Sequence, residues 1–293
     1  MMSQLRGKQG TLAPLDPVRV AALVLSALLM TPAARAQEPP LRHDAARDGA
    51  VIATIGSLWI MSETSLKDTL APARCRWCES DGNGKSTLNA FDASIRDALR
   101  WQRHGGTAGT ISDVSAFLLV PALALGLPAV IAPADRHPDA AWVDGLVIVQ
   151  AAVVAAGINQ AGKFFAGRER PFVHALPEAE KTKTAHPNDN NLSFFSGHTT
   201  LTFALATAAG TVTTMNERRY APVVWASGLS LALGTGYLRI AADKHYASDV
   251  LVGMVVGSLV GVGLPLLFHS PPASPAPTAG AAPVQSLGFG AAF

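Results

Sequence analysis

Five apolar blocks restrict the folds that this chain of 293 residues can adopt. They cover residues 114–132, 142–162, 198–216, 221–238 and 250–268. Each block has 18 to 21 residues and Asp144 is their single formal charge, whereas an α-helix needs roughly 20 apolar residues to cross a bilayer. In the last block Gly253, Gly257 and Gly261 recur every four residues, which permits close contact between membrane helices. We therefore predict an all-α bundle, integral to a membrane, with about five to six apolar helices; a soluble helical bundle is the alternative.

The charge balance excludes two other classes of protein. Charged residues make up 15% of the chain, against roughly 25% in an average soluble domain. Because 23 basic residues face 21 acidic ones, there is no basic excess to neutralise a nucleic-acid backbone, and we predict no nucleic-acid partner. Low net charge together with 49% apolar residues also excludes a disordered chain.

The two ends of the chain differ from the blocks. Basic residues precede the apolar run Val20–Met30, and Ala34-Arg35-Ala36 follows it, a pattern typical of a cleaved export signal. We predict a signal peptide over residues 1–36, with an uncleaved anchor as the alternative. Residues 37–113 then form an exported region with an amphipathic helix near residues 86–103. The helical bundle covers 114–269, and a tail rich in proline and alanine covers 270–293.

Polar residues flank the blocks and form three motifs. The motifs are Lys163 with Arg170-Pro171 after six residues, Ser196-Gly197-His198, and Arg239 with His245 after five residues and Asp249 after three more. They follow the second block, open the third, and lie between the fourth and fifth. If consecutive blocks alternate in direction, all three motifs meet at one end of the bundle.

The residue types in these motifs suit phosphoryl transfer. The three cations can surround the equatorial oxygens of a phosphoryl group, where negative charge must be held. Ser196 and Gly197 open a helix, whose free N–H groups attract an anion. Asp249 lies four residues after His245, so we predict that its carboxylate keeps one ring nitrogen protonated and leaves the other as a nucleophile. His198 can protonate the leaving oxygen. The motifs contain no cluster of carboxylates for a metal ion.

In this order and spacing, the three motifs resemble those of the type-2 phosphatidic acid phosphatase and vanadium haloperoxidase superfamily, over about residues 114–268. The resemblance implies a phosphatase that hydrolyses a phosphate monoester or pyrophosphate, with neither metal nor cofactor, through a phosphohistidine. Two positions depart from the family pattern, since Phe195 stands in place of proline and Leu238 in place of serine. The alternatives are a soluble periplasmic acid phosphatase of the same superfamily, a vanadate-dependent haloperoxidase and a non-catalytic membrane protein.

Carried over by position, the resemblance also assigns roles to eight residues. It implies His245 as nucleophile, His198 as general acid, Asp249 as orienting carboxylate, and Lys163, Arg170, Ser196, Gly197 and Arg239 as phosphate ligands. The implied substrate is a phosphorylated lipid or a small phosphomonoester. With the export signal, this predicts a protein of the bacterial inner membrane whose site faces the periplasm; a soluble periplasmic protein is the alternative.

Three further features have structural interpretations. Cys75 and Cys78 form a CxxC without the strand and helix pattern of a thioredoxin fold, so in an exported chain we predict a local disulfide. Arg168 and Glu169, inside the first motif, are interpreted as a solvated loop. Asp144 is interpreted as a carboxylate at the start of a helix.

Overall fold

The computed structural model describes residues 41–81, 83–131 and 140–270. Within these ranges all regular elements are helical, apart from two isolated bridges that pair Trp77 with Arg168 and Ser80 with Ser86. The predicted all-α class is confirmed. The signal peptide predicted over residues 1–36, and the tail after residue 270, lie outside the described residues.

The longer helices are labelled α1 to α8 in chain order. They are Ala45–Glu63, Ala90–Leu99, Gly105–Val114, Val120–Ile131, Ala140–Ala166, Gly197–Met215, Ala221–Ala241 and Ala247–Phe268. A π-helical stretch, Ser115–Leu119, joins α3 to α4 without a break. Single turns at Lys67–Leu70, Pro171–His174, Glu178–Lys181 and Pro187–Asp189 lie in the connections.

Four of these helices are long and apolar enough to cross a membrane: the continuous α3–α4 helix, α5, α7 and α8. Their outer surfaces carry large apolar side chains, among them Phe165 and Leu267, which are 85% and 78% exposed. Side chains of this kind gain nothing from contact with water, and a continuous outer layer of them fits lipid. The structure is therefore that of an all-α membrane bundle, as predicted.

Helix α6, which the third apolar block predicted, lies at the centre of the bundle. It packs against α5, α7 and α8, and its residues from Thr199 to Thr213 are buried. Its many threonines are compatible with this burial because their hydroxyls bond within the helix; Thr207, for example, donates to the carbonyl of Phe203 at 2.7 Å. Threonine hydroxyls of α6 thus find their hydrogen-bond partners within the helix itself.

The glycine repeat of α8 lies in close contact with α6. A Cβ added to Gly257 would stand 3.0 Å from the Cβ of Phe203 and would clash with the backbone carbonyl of Thr200 on α6. Gly253 and Gly261 face the same helix. The small residues predicted to permit close approach do so along the whole α6–α8 interface.

Helix α1 runs beside α5 in the same direction. Near its start the rings of His43 and Trp142 lie 4.9 Å apart, and at its end Glu63 lies 3.5 Å from Lys163. Residues 41 and 63 are therefore at opposite ends of the bundle. The predicted exported region over 37–113 includes a helix that traverses the bundle from end to end.

The glycine contact can be tested with two substitutions on α8. We expect Gly257→Ala to lower the melting temperature in detergent, because overpacking of this kind costs about 1–3 kcal/mol. Gly263→Ala is the matched control, since nothing lies within 4 Å of its added Cβ and alanine favours a helix over glycine by up to about 1 kcal/mol. Equal melting temperatures for the two variants would contradict the interface described here.

Candidate active site

A cavity of about 680 Å³ opens at the end of the bundle where α5 and α7 end and α6 begins. Six of the eight predicted site residues line it: Lys163, Arg170, Gly197, His198, Arg239 and His245. The other two, Ser196 and Asp249, are fully buried beside it. The structure thus brings together residues from three motifs, as the alternation of the apolar blocks predicted.

The cationic wall of the cavity is held in place by backbone and acidic groups. Arg170 donates from Nε to the carbonyl of Asp189 at 2.7 Å and from Nη1 to the carbonyl of Lys244 at 3.3 Å. Burial alone would raise the pKa of the Asp189 carboxyl, but Arg170 and the nearby lysines Lys67 and Lys163 outweigh burial and lower it. Asp189 therefore stays ionised and supports a cluster of positive charge.

The start of α6 faces the same cavity. Its N-terminus has no side-chain cap, so its first N–H groups are available to an anion. Gly197 is confined by α5, because an added Cβ would stand 2.8 Å from Oδ1 of Asn159 and 3.0 Å from Nζ of Lys163. The N–H of Ser196, in contrast, already donates to the carbonyl of Asp249 at 3.1 Å. Of the two residues predicted to offer N–H groups, Gly197 is the one that lines the cavity.

The tautomer of His245 follows from its contacts. Its Nδ1 lies 2.7 Å from the carbonyl oxygen of Ser193. Because a carbonyl only accepts, Nδ1 carries the proton and Nε2 keeps its lone pair. Burial, followed by the charges of Arg170, Arg239 and Lys163, lowers the pKa of His245 well below 6.5. At neutral pH the residue is therefore an uncharged imidazole with a free nitrogen beside three cations.

Asp249 supports this histidine indirectly. The sequence predicted a hydrogen bond between them, but Oδ2 of Asp249 lies 3.8 Å from Nδ1 of His245. The same oxygen accepts instead from the Ser193 hydroxyl at 2.6 Å and from the Tyr246 N–H at 2.9 Å. The carboxylate therefore fixes Ser193, and the carbonyl of Ser193 orients the ring.

The interpretation of Arg168 as solvated loop is wrong. Its side chain is 0% exposed and contacts three buried carboxylates: Asp249 at 2.5 Å, Glu79 at 2.5 Å and Asp92 at 2.9 Å. Glu169 is buried as well and pairs with Lys181 at 2.8 Å. The reason is that the segment before α2 and the start of α2 fold over the first motif, which no spacing within that motif reveals.

Two aromatic rings complete the surroundings of Arg168. Its guanidinium lies 4.1 Å from the ring centroid of Trp77 and 4.2 Å from that of Tyr246, distances at which a cation interacts with a ring face. Trp77 lies within the CxxC, in which Cys75 and Cys78 are joined as a disulfide. The N-terminal segment is thus attached to the residues that support His245.

His198 has a partner that the motifs do not contain. Its Nε2 lies 2.7 Å from Oδ1 of Asp113 on α3, and the same oxygen lies 3.2 Å from Nη1 of Arg239. Asp113 is the last charged residue before the first apolar block, a position that could have suggested a place at the membrane surface. Sequence reasoning also missed Glu63, Asp189 and Lys244, which line the cavity.

The remaining sequence features have structural roles. Asp144 accepts from the Asn216 amide at 2.8 Å, at the end of the bundle away from the cavity. Phe195, one of the two departures from the family pattern, packs its ring against Gly162 and accepts through its carbonyl from Asn159 at 2.7 Å. Leu238, the other departure, packs beside Ala108 and Ala241. Neither side chain lines the cavity.

Comparison with known proteins finds one matching family, the PAP2 superfamily, over residues 144–271. Phospholipid phosphatase 2 of Bos taurus is 27% identical over 37% of this chain and 45% of its own length. The human protein of that name is 29% identical over 37% of this chain and 45% of its own. Lipid A 1-phosphatase of Porphyromonas gingivalis is 35% identical over 36% of this chain and 19% of its own. The chain thus spans less than half the length of these relatives. No solved structure matches it at a comparable level.

The buried ion cluster makes a strong prediction about stability. Arg168→Met leaves three carboxylates buried without their cation, and breaking a buried pair in this way costs about 3–5 kcal/mol. We expect a large fall in the melting temperature measured in detergent. Arg74→Met, an exposed arginine in the same segment, is the control and should melt like the unmodified protein. If the Arg168 variant melted at the same temperature as this control, the cluster would not stabilise the fold.

Proposed function

Since residues 144–271 match the PAP2 superfamily, we propose that the chain is a phosphatase that hydrolyses a lipid-linked phosphate monoester or pyrophosphate. The proposed mechanism uses a phosphohistidine and no metal ion. One observation carries the proposal: a buried, uncharged His245 with a free Nε2 stands in a cavity lined by Lys163, Arg170 and Arg239. Binding of a phosphate anion would require only the cations. The uncharged imidazole nitrogen beside them is in addition suited to attack phosphorus.

In the first step, Nε2 of His245 attacks phosphorus. The N–P bond forms as the P–O bond to the lipid breaks, and His198 gives its proton to the departing oxygen. The three cations and the first N–H groups of α6 hold the charge of the equatorial oxygens. In the second step, water attacks phosphorus while His198 accepts its proton, and His245 leaves as the same uncharged imidazole.

The shape of the cavity favours a lipid as the leaving group. Below the cations its wall is apolar and includes Trp59 and Ile60 from α1, Phe117, and Leu201 from α6. Ile60 and Phe117 are also more than half exposed on the outer surface of the bundle. The cavity wall is therefore continuous with the lipid-facing surface, and an apolar chain could lie there without contact with water. The relatives named for phospholipid and lipid A phosphate esters support the same class.

We also propose that this end of the bundle faces the periplasm. The disulfide between Cys75 and Cys78 lies at the same end as the cavity, and disulfides persist in oxidising compartments. The opposite end carries Arg42, Arg47 and the arginines of the 216–220 loop, and arginine is enriched on the cytoplasmic side of membrane proteins. Helix α1 begins at the end that we propose to be cytoplasmic and ends beside the cavity. The chain would therefore reach the periplasm near residue 63, and not at residue 37.

The proposed orientation is tested by labelling single cysteines in intact cells with a reagent that does not cross the inner membrane. Ala185→Cys, in an exposed position near the cavity, should react. Ala45→Cys and Arg219→Cys, both exposed at the other end, should react only after the membrane is permeabilised. The native cysteines are paired with each other and serve as the unlabelled background. Labelling of position 219 but not 185 would reverse the orientation.

The two histidines are separated by their dependence on the leaving group. His245→Ala should abolish phosphate release from every substrate, since it removes the nucleophile. His198→Ala should lose about 10²–10⁴-fold on dodecyl phosphate, the usual contribution of a general acid. On p-nitrophenyl phosphate it should lose much less, because that leaving group needs little protonation. Phosphate release is measured with both substrates, and rapid quenching captures the acid-labile phosphoprotein.

All assays are run with and without a chelator, and activity should be unchanged by it. Asp249→Asn should lie between the histidine variants, since it loosens Ser193 without removing the nucleophile. Phosphoprotein formed by His245→Ala, or equal losses of His198→Ala on both substrates, would show that the roles are assigned wrongly. Activity lost in chelator and restored by magnesium would refute the metal-free mechanism.

A further inference from the structure

The general acid is held by a part of the chain outside the family match. Asp113 lies before residue 144, where the match to the PAP2 superfamily begins. We propose that Asp113 is a positioning residue that orients His198 and holds its Nε2–H ready as the proton donor for the leaving oxygen. This inference rests on the proposed phosphatase function and adds a residue that none of the three motifs contains.

The contacts of Asp113 support this role. Its Oδ1 lies 2.7 Å from Nε2 of His198 and 3.2 Å from Nη1 of Arg239. A carboxylate only accepts, so the Nε2 of His198 is the donor and carries a proton. Arg239 donates from the same Nη1 to the hydroxyl of Ser112 at 2.9 Å. The last turn of α3 thus holds both a proposed acid and a proposed phosphate ligand.

The helix that carries Asp113 is itself fixed to α7. In the π-helical stretch after α3, the Ser115 hydroxyl lies 2.7 Å from that of Thr235, and both are buried. Thr235 is one helical turn before Arg239. Phe117, from the same stretch, places its ring 5.0 Å from that of His198 at an angle of 73°. The imidazole is therefore held at its edge by a carboxylate and against its ring by an aromatic side chain.

The charges around His198 explain why a carboxylate is needed there. Lys163 approaches from α5, Arg239 from α7, and the ring of His245 from the turn before α8. Among the described residues, Asp113 is the acidic group within ion-pair distance of His198. Its negative charge favours the imidazolium that must supply the proton, whereas burial and the neighbouring cations oppose that charge.

The contact with Asp113 also allows His198 to give up its Nε2 proton. The side chain of Asp113 is 56% exposed, so it can turn as the leaving oxygen takes its place at Nε2. The N–H bond of His198 breaks as the O–H bond of the departing alcohol forms, and the carboxylate keeps its contact with Arg239. A bound substrate therefore meets a His198 whose Nε2 proton is already in place and whose ring lines the cavity.

The test compares two substrates with different leaving groups. Asp113→Asn keeps the size of the side chain and removes its charge. We expect kcat on dodecyl phosphate to fall about 10- to 100-fold, a part of what a general acid contributes. On p-nitrophenyl phosphate kcat should change less than about 3-fold, because little protonation is needed. Asp113→Glu should recover most of the lost activity. Asp97→Asn, an exposed aspartate on α2, is the matched control.

Each other outcome has a definite meaning. Equal losses on both substrates, or a rise in KM with kcat unchanged, would mean that Asp113 acts on phosphate binding through Arg239, and the inference would be overturned. The same holds if Asp113→Asn behaves like Asp97→Asn, or if Asp113→Glu recovers nothing while its melting temperature is unchanged. If the unmodified protein releases phosphate from neither substrate, it is the proposed function that fails.

Discussion

The guanidinium of Arg168 is the contact on which the site depends. It lies between two aromatic rings and compensates three carboxylates that come from three separate stretches of the chain. Asp249 is one of them, and Asp249 holds Ser193, whose carbonyl orients His245. One buried cation thus ties the N-terminal segment to α8 and to His245, the proposed nucleophile. A buried charge network of this kind is costly to assemble and more costly to break.

The chemistry of the cavity follows from its excess of positively charged side chains. The cavity is lined by more basic than acidic groups: Lys67, Lys163, Arg170, Arg239 and Lys244 against Glu63, Asp113 and Asp189. Burial and the charges of Lys163, Arg170 and Arg239 keep His245 uncharged, and these cations are partly offset by Glu63, Asp189 and Asp113. A phosphate group entering the cavity supplies the charge that the cations lack. Under the proposed mechanism, the cations that bind the substrate therefore also help to keep His245 uncharged and reactive.

The membrane-spanning helices also carry the candidate active site. The α3–α4 helix presents apolar side chains to lipid on one side, and on the other its Asp113 and Phe117 contact His198. Helix α8 packs through its glycines on α6 and carries Asp249 in its first turn. Because α6 is surrounded on all sides, its first turn has one fixed position relative to the cations. The precision of the site is a consequence of this close packing.

The sequence by itself determined the helical class, the membrane-spanning character and the convergence of three motifs at one end of the bundle. These follow from periodicity, apolar length and alternating direction, all of which are local or nearly local properties of a chain. It could not reveal that Arg168 is buried, that Ser193 stands between Asp249 and His245, or that Asp113 contacts His198. Those contacts join residues 52 to 89 positions apart, and no regular spacing in the sequence indicates them. Only the packing of the helices decided them, because burial and hydrogen-bond partners depend on what the rest of the chain places nearby.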